Sequence, residues 1–131
     1  MIYSSKGIFA NLNKKIYIAN KKSVSIDEYN NEIINYDIPF SLGSFNYQPL
    51  QGTELQAYMS VYGETKNKLV RVFLDIQYKH KLKEFDLAYL YNMTPNGEEI
   101  YGENANYIVR TCAEQNTKLM VVFEEIIKEE Y

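Results

Sequence analysis

The sequence predicts a small, mainly β domain, either an antiparallel β-barrel or a sandwich, with long loops and one short helix. Thirteen Tyr and six Phe with no Trp favour the half-buried, pleated surface of strands. Several short apolar runs alternate with period two, and Gly, Pro or Asn marks the links between them. With 131 residues the chain is long enough for one hydrophobic core, so we expect residues 1–131 to form a single domain.

The amino-terminal part of the chain predicts a hairpin followed by a long extended stretch. Two apolar groups, residues 16–18 and 24–26, flank the polar residues 20–22, which suit a hairpin turn. An extended segment is then expected from residue 33 to residue 50. The apolar alternation in this segment changes phase beside Gly43, which predicts a β-bulge at that position.

One short helix is predicted after the extended segment. Thr53 is positioned to cap one or two helical turns, because a Thr hydroxyl can accept a hydrogen bond from the first turn. Leu55, Tyr58 and Met59 share one face of such a helix. Gly63 is expected to end the helix or to start the next strand.

Four strands are predicted in the second half of the chain, covering residues 69–76, 85–91, 107–112 and 118–127. In the first of these, Val70, Val72 and Leu74 form the face that we expect in the core. The last segment could also be a helix, but Val121-Val122-Phe123 favours a strand. Short links between the four predict an antiparallel meander that curls into a barrel or packs as a sandwich.

Composition disfavours a nucleic-acid-binding or membrane protein. The net charge is −3 and the sequence pI is near 5.2, without a concentrated basic run, whereas proteins that neutralise phosphates usually carry a basic face. The sequence contains no apolar stretch of the roughly 20 residues that span a bilayer and no signal-peptide core near Met1. We therefore expect a protein made in the cytoplasm. The single cysteine, Cys112, fits a reducing compartment.

The sequence offers no cluster of catalytic or metal-binding residues. His80 is the only histidine and lies among lysines, so an exposed, non-catalytic role is expected. Cys112 lies within an apolar strand and suits a buried position better than a reactive one. Carboxylate pairs at Glu98-Glu99, Glu124-Glu125 and Glu129-Glu130 suit solvated surface. We expect no enzyme activity, no cofactor and no metal site.

The tyrosines have two possible roles. They can fill the core and rim of a small β fold, or they can form a contact surface between subunits, where a side chain is partly buried and partly wet. The candidates for the contact surface are Tyr47, Tyr58 and Tyr101. Assembly is the preferred functional interpretation.

Three parts of the sequence resemble bacteriophage head-closure proteins, the stopper or head-tail joining proteins. The first is Asn46-Tyr47-Gln48-Pro49-Leu50 with the following Gly52 and Gly63-Glu64. The second, residues 84–91, is similar to the strand in which an Asp, here Asp86, opens a barrel hairpin. The third, residues 104–110 with 117–126, resembles the last two strands of the family. The resemblance covers about the last two thirds of the chain, and residues 1–36 carry none of it.

The resemblance implies a small β-barrel that forms a homo-oligomeric ring in the virion neck, assembled in the host bacterial cytoplasm. Such a ring closes the DNA-filled head below the portal or adaptor and joins it to the tail terminator and tail tube. Packaged DNA would pass through the lumen without specific binding. A lumen or gating loop is expected at residues 77–83 or 94–106; the candidates are Lys79, His80, Lys81, Asn96, Gly97, Glu98 and Glu99.

Two other classes remain open at this point. One is a phage tail-completion or terminator protein, which shares small β-rich folds and ring assembly. The other is a small cytoplasmic regulatory or inhibitor protein that binds a single host partner. An enzyme is the least favoured class, because no set of catalytic groups converges.

Overall fold

A computed structural model describes residues 13–97 and 101–127, and these residues form a mainly β fold, as predicted. The strands are β1 (Lys14–Ala19), β2 (Lys21–Ile26), β3 (Glu32–Tyr36), β4 (Phe40–Phe45), β5 (Gln48–Pro49), β6 (Leu69–Asp75), β7 (Leu87–Tyr89), β8 (Tyr107–Gln115) and β9 (Lys118–Glu125). The helix α1 covers Gly52–Tyr62, and a 3-10 helix covers Ile76–His80.

Seven of the strands form one antiparallel sheet that curls into a half-barrel. Its strand order is β4-β1-β7-β8-β9-β6-β5. The strands β2 and β3 pair only with each other and form a separate two-stranded sheet. The predicted antiparallel meander is therefore confirmed for β7, β8 and β9, whereas β6 lies beside β9 at the far side.

The main core lies on the concave face of the half-barrel, and alternation along β6 places Val70, Val72 and Leu74 in it, as predicted. Strand β9 is buried on both faces. Leu119, Val121 and Phe123 point into the main core, while Met120 and Val122 pack under α1. This two-sided burial explains the continuous apolar run that left strand and helix as alternatives.

The helix α1 covers the second face of the sheet through Tyr58, which packs against Leu69 and Val122. It has 11 residues and is longer than the predicted one or two turns. The predicted cap was wrong, because Gln51 is the N-cap residue and no side chain caps the helix. Gly63 ends the helix with φ of 98°, as expected for a glycine.

The second of the four strands predicted in the second half of the chain, residues 85–91, is shorter than its apolar pattern suggested. Only Leu87–Tyr89 are in β7, because Phe85 and Tyr91 have φ of 74° and 56°, outside the range of a strand. The amide of Phe85 still donates to the carbonyl of Val109 at 2.8 Å. The chain therefore turns sharply at both ends of β7 and leaves Phe85 60% exposed.

The predicted hairpin between residues 16–18 and 24–26 was wrong. Strand β1 pairs with β4 on one side and with β7 on the other, so it has no free edge for β2. Strand β2 pairs instead with β3, and the turn between them is formed by residues 27–31.

A β-bulge lies beside Gly43, as predicted. Ile16 pairs with Gly43 and Tyr17 pairs with Ser41, so that Leu42 is the extra residue of β4. Gly43 has φ of 133°, and a Cβ atom there would lie 3.1 Å from the ring of Phe45. The bulge therefore depends on a glycine.

Substitution Gly43→Ala should lower the free energy of unfolding by about 1–3 kcal/mol, because alanine is strained at this φ and would press on Phe45. Urea denaturation followed by circular dichroism measures the change. Gly97→Ala is the matched control, since a Cβ atom there meets open space. Equal stability of the two variants would contradict the prediction.

Candidate assembly surfaces

The hairpin of β2 and β3, residues 21–36, projects from the half-barrel and is called the arm. It is closed at its root by a hydrogen bond of 2.8 Å from the amide of Asp37 to the carbonyl of Asn20. Beside the root, Tyr36 packs against a small buried cluster of Ala19, Tyr89 and Ala105. Beyond this point the arm has no strand partner among the described residues.

One face of the arm is apolar and uncovered. Val24 lies opposite Ile34, and Ile26 follows on the same face. These side chains are 48%, 44% and 66% exposed, respectively. An isolated two-stranded hairpin is marginally stable in water, and apolar side chains are stabilised when a partner covers them. The apolar face of the arm is therefore a candidate contact surface.

The opposite face carries Ile33, which pairs with Ser25 and is 44% exposed, and this face and the tip of the arm are held by polar contacts. The side-chain amide of Asn35 donates to the hydroxyls of Ser23 and Ser25 at 3.1 and 3.3 Å. At the tip, the carboxylate of Asp27 accepts hydrogen bonds from the amides of Tyr29 and Asn31 at 2.9 and 2.8 Å. The turn is thus well defined, and it presents Tyr29 with 76% of its surface exposed.

The buried carboxylate of Asp86 fixes the arm to the half-barrel. It is 0% exposed and accepts three hydrogen bonds of 2.7 to 2.9 Å, from the side chain of Asn20 and the backbone amides of Lys21 and Lys83. Asn20 also donates to the carbonyl of Lys81 at 3.0 Å. The residues where the arm begins are therefore tied to the loop that precedes β7.

Substitution Asp86→Asn should lower the free energy of unfolding by about 2–4 kcal/mol, because a neutral amide cannot accept all three hydrogen bonds and would bring donors toward donors. Chemical denaturation measures the loss. The exposed Asp37→Asn is the control and should change stability by less than about 0.5 kcal/mol. A similar, small effect of both substitutions would show that the Asp86 network is not important for stability.

A groove of about 780 Å³ lies by the other end of β1, and we call it the end groove. The ammonium group of Lys14, the first residue of β1, lies 4.8 Å from the ring centre of Tyr91, a residue of this groove. Its lining includes the apolar side chains of Leu50, Leu55 and Ile126, the ring of Tyr91, and the charged side chains of Lys66, Lys68 and Glu125. The groove thus combines apolar walls with two lysines.

A basic cleft of about 430 Å³ lies beside the root of the arm and contains three predicted loop residues. Lys79, His80 and Lys81 line it together with Lys21 and Lys83. The other polar side chains of the cleft are Asn20 and Asp37. The ammonium group of Lys79 also lies 3.7 Å from the carboxylate of Glu114. This cleft concentrates positive charge on a chain whose net charge is negative.

The described residues of the second predicted loop, 94–97 and 101–106, are not among those that line the basic cleft. Asn96 and Gly97 are exposed and do not line it. Glu98 and Glu99 lie outside the described residues. A lumen or gating role for any of these residues stays a prediction.

The three predicted interface tyrosines differ in exposure. Tyr47 and Tyr58 are buried within the chain, at 4% and 7% exposure, whereas Tyr101 is 51% exposed. The hydroxyl of Tyr47 accepts a hydrogen bond from the amide of Tyr91, and that of Tyr58 is hydrogen-bonded to Thr111. Burial raises the pKa of both hydroxyls. Of the three, Tyr101 offers the most accessible ring for a contact between subunits.

Cys112 is half-buried in β8, and burial, followed by the nearby carboxylates of Glu84 and Asp86, raises the pKa of its thiol to about 12. The neutral thiol therefore dominates at pH 8, where the reactive thiolate is rare.

Native Cys112 should react slowly with a thiol reagent such as iodoacetamide at pH 8, and the rate should rise about tenfold per pH unit up to pH 10. Mass spectrometry of timed samples gives both rates. A Thr117→Cys variant in a Cys112→Ser background, with an exposed thiol in the turn between β8 and β9, is the control and should react about a hundredfold faster. Equal rates would contradict the elevated pKa.

The arm was missed by the sequence analysis, although a signal was present. Two apolar groups, residues 24–26 and 33–34, flank the polar segment 27–31, which contains Asn30 at φ of 68°. This is the pattern of a hairpin with a longer loop. The earlier polar residues 20–22 gave a competing turn signal. The period of apolar alternation does not decide which of the two polar segments forms the turn.

No family model, curated protein or solved structure matches this chain. Within residues 13–97 and 101–127, no group of three or more His, Cys, Asp or Glu side chains is placed to hold a metal ion. In the same part of the chain, no helix has the length and apolarity needed to cross a membrane.

Proposed function

We propose that the chain is a structural subunit of a tailed-phage neck. In this proposal, copies form a ring below the portal or adaptor that closes the DNA-filled head and joins it to the tail. The observation that carries the proposal is the arm, whose apolar face has no partner within the described chain. Such a face is expected on a protein that assembles.

The arm lies in the part of the chain that does not resemble head-closure proteins, and this position supports a separate role for the arm in assembly. The resemblance to head-closure proteins covers residues 46–50 with β5, the two ends of α1, Asp86 with β7, the first residues of β8, and β9. These belong to the half-barrel or to the helix that packs on it, whereas the arm ends at Tyr36 and lies within the part that carries no resemblance. In this proposal the half-barrel is the body of the subunit, and the arm is an added contact element.

The positive charge of the basic cleft supports the proposal that the loop of residues 77–83 faces the lumen of the ring. Its lysines are exposed and surround His80. Passing DNA would meet one small group of positive side chains on a subunit with a net charge of −3. Few phosphate contacts give weak, salt-sensitive attraction, which permits DNA to slide.

Removing the apolar character of the arm should disrupt assembly. In the double variant Val24→Thr/Ile34→Thr both residues stay β-branched, so the strands keep their preference while two of the three apolar side chains of this face are replaced by polar ones. We expect self-association to weaken by about tenfold or more, since each side chain would lose apolar burial. Sedimentation velocity over a concentration series measures the change.

The control for this experiment is Val61→Thr, which alters a valine of α1 that is 72% exposed, and it should leave assembly unchanged. Electron microscopy of purified virions tests the location, since the proposal requires this chain in a ring between head and tail. A ring that caps the head-proximal end of the tail tube, on the tail side of the neck, would favour the tail-completion class. A chain that stays monomeric at high concentration and is absent from particles would overturn the proposal.

A further inference from the structure

We propose that the arm of one copy binds in the end groove of the next copy, so that subunits join head to tail. This inference rests on the proposed ring and names the contact that builds it. The partner of the arm is therefore a second copy of this chain, and the two surfaces that meet are different parts of the molecule.

The two surfaces lie at opposite ends of β1. The strand begins with Lys14, whose ammonium group lies over the Tyr91 ring of the end groove. It ends with Ala19, and one residue later the chain enters the arm. A six-residue strand is about 17 Å long from first to last residue. The arm thus leaves the half-barrel at the end of β1 away from Lys14, and none of its residues lines the groove of its own copy.

The apolar residues of the two surfaces suit each other. The arm presents Val24, Ile26 and Ile34 on one face. The groove presents Leu55 and Ile126, both half-buried, with the exposed ring of Tyr91. Binding would remove these side chains from water and would bury the uncovered face of the two-stranded sheet.

The charges of the two surfaces are also complementary. The outer half of the arm carries Glu28 and Glu32 beside the capping carboxylate of Asp27. The groove carries Lys66 and Lys68, and no ion pair involves either lysine within the described residues. Glu28 and Glu32 are also without an ion pair in that part of the chain. Opposite charges at an interface direct the register and speed association.

The groove also contains one carboxylate, Glu125, and the arm one exposed lysine near its root, Lys22. Glu125 lies beside Lys68, because its backbone amide donates to the carbonyl of Lys68 at 2.9 Å. Because arm and groove are different surfaces, the contact is heterologous, and repeated copies form a closed ring when the rotation between them closes.

Charge reversal on both sides of the contact tests this inference. The arm variant Glu28→Lys/Glu32→Lys and the groove variant Lys66→Glu/Lys68→Glu should each weaken self-association about tenfold at low salt, because like charges then face each other. Their combination should restore association to within about threefold of the wild type. Sedimentation velocity and light scattering measure the equilibrium, and salt should reduce every difference.

The control separates local pairing from net charge. The arm variant is combined with Lys81→Glu/Lys83→Glu, which reverses two exposed lysines of the basic cleft. Both combined variants keep the wild-type net charge of −3. Only the combination with the groove variant should restore association. Restoration by both combinations, or by neither, would overturn the inference.

Cross-linking gives a second measurement that does not depend on affinity. Two variants in a Cys112→Ser background, one with Tyr29→Cys at the arm tip and one with Asn67→Cys in the groove, are mixed and treated with a short bis-maleimide. We expect more cross-linked dimer than with Thr117→Cys in place of Asn67→Cys. Equal yields would overturn the inference. If rings form and the groove variant assembles as well as the wild type, the proposed contact is wrong and the proposed function stands. If the wild-type protein does not assemble at all, both proposals are wrong.

Discussion

The buried carboxylate of Asp86 joins the parts of the molecule on which its candidate surfaces depend. It binds the side chain of Asn20 and the backbone of Lys21 and Lys83, so the root of the arm and the rim of the basic cleft meet at one group. Burying a carboxylate away from solvent costs free energy of folding unless its oxygens are hydrogen-bonded. That cost favours the single arrangement in which all three donors converge. The direction of the arm follows from it.

The second constraint is the position of β1 between β4 and β7. Because both edges of β1 are paired, the chain that follows it must leave the sheet. It does so as an amphipathic hairpin with an ordered tip rather than as a polar loop. Exposed apolar side chains add nothing to the stability of the isolated subunit, so a role in contact between molecules gives a physical reason for them.

The distribution of charged side chains over the surface matters more for the proposed assembly than the net charge of the chain. A net charge of −3 suggests a mildly acidic surface without strong features. In three dimensions the lysines of residues 79–83 gather at one cleft, and Lys66 and Lys68 gather in the end groove. Carboxylates lie at the tip of the arm. Separate charged regions of this kind allow neighbouring copies to bind in one orientation.

The sequence by itself determined the β class, the core face of β6 and the bulge at Gly43, and it marked Gly63 as either the end of α1 or the start of the next strand. Each of these follows from local signals: alternation of apolar residues, or a backbone angle that glycine adopts readily. Tertiary structure decided the partners of β1, the early end of β7 at Tyr89, and the arm, because periodicity identifies the apolar face of a strand but not its neighbour. It also decided the role of Asp86 and the lining of the end groove. Those depend on residues far apart in the chain, as with Asn20 and Asp86, which only folding brings within hydrogen-bond distance.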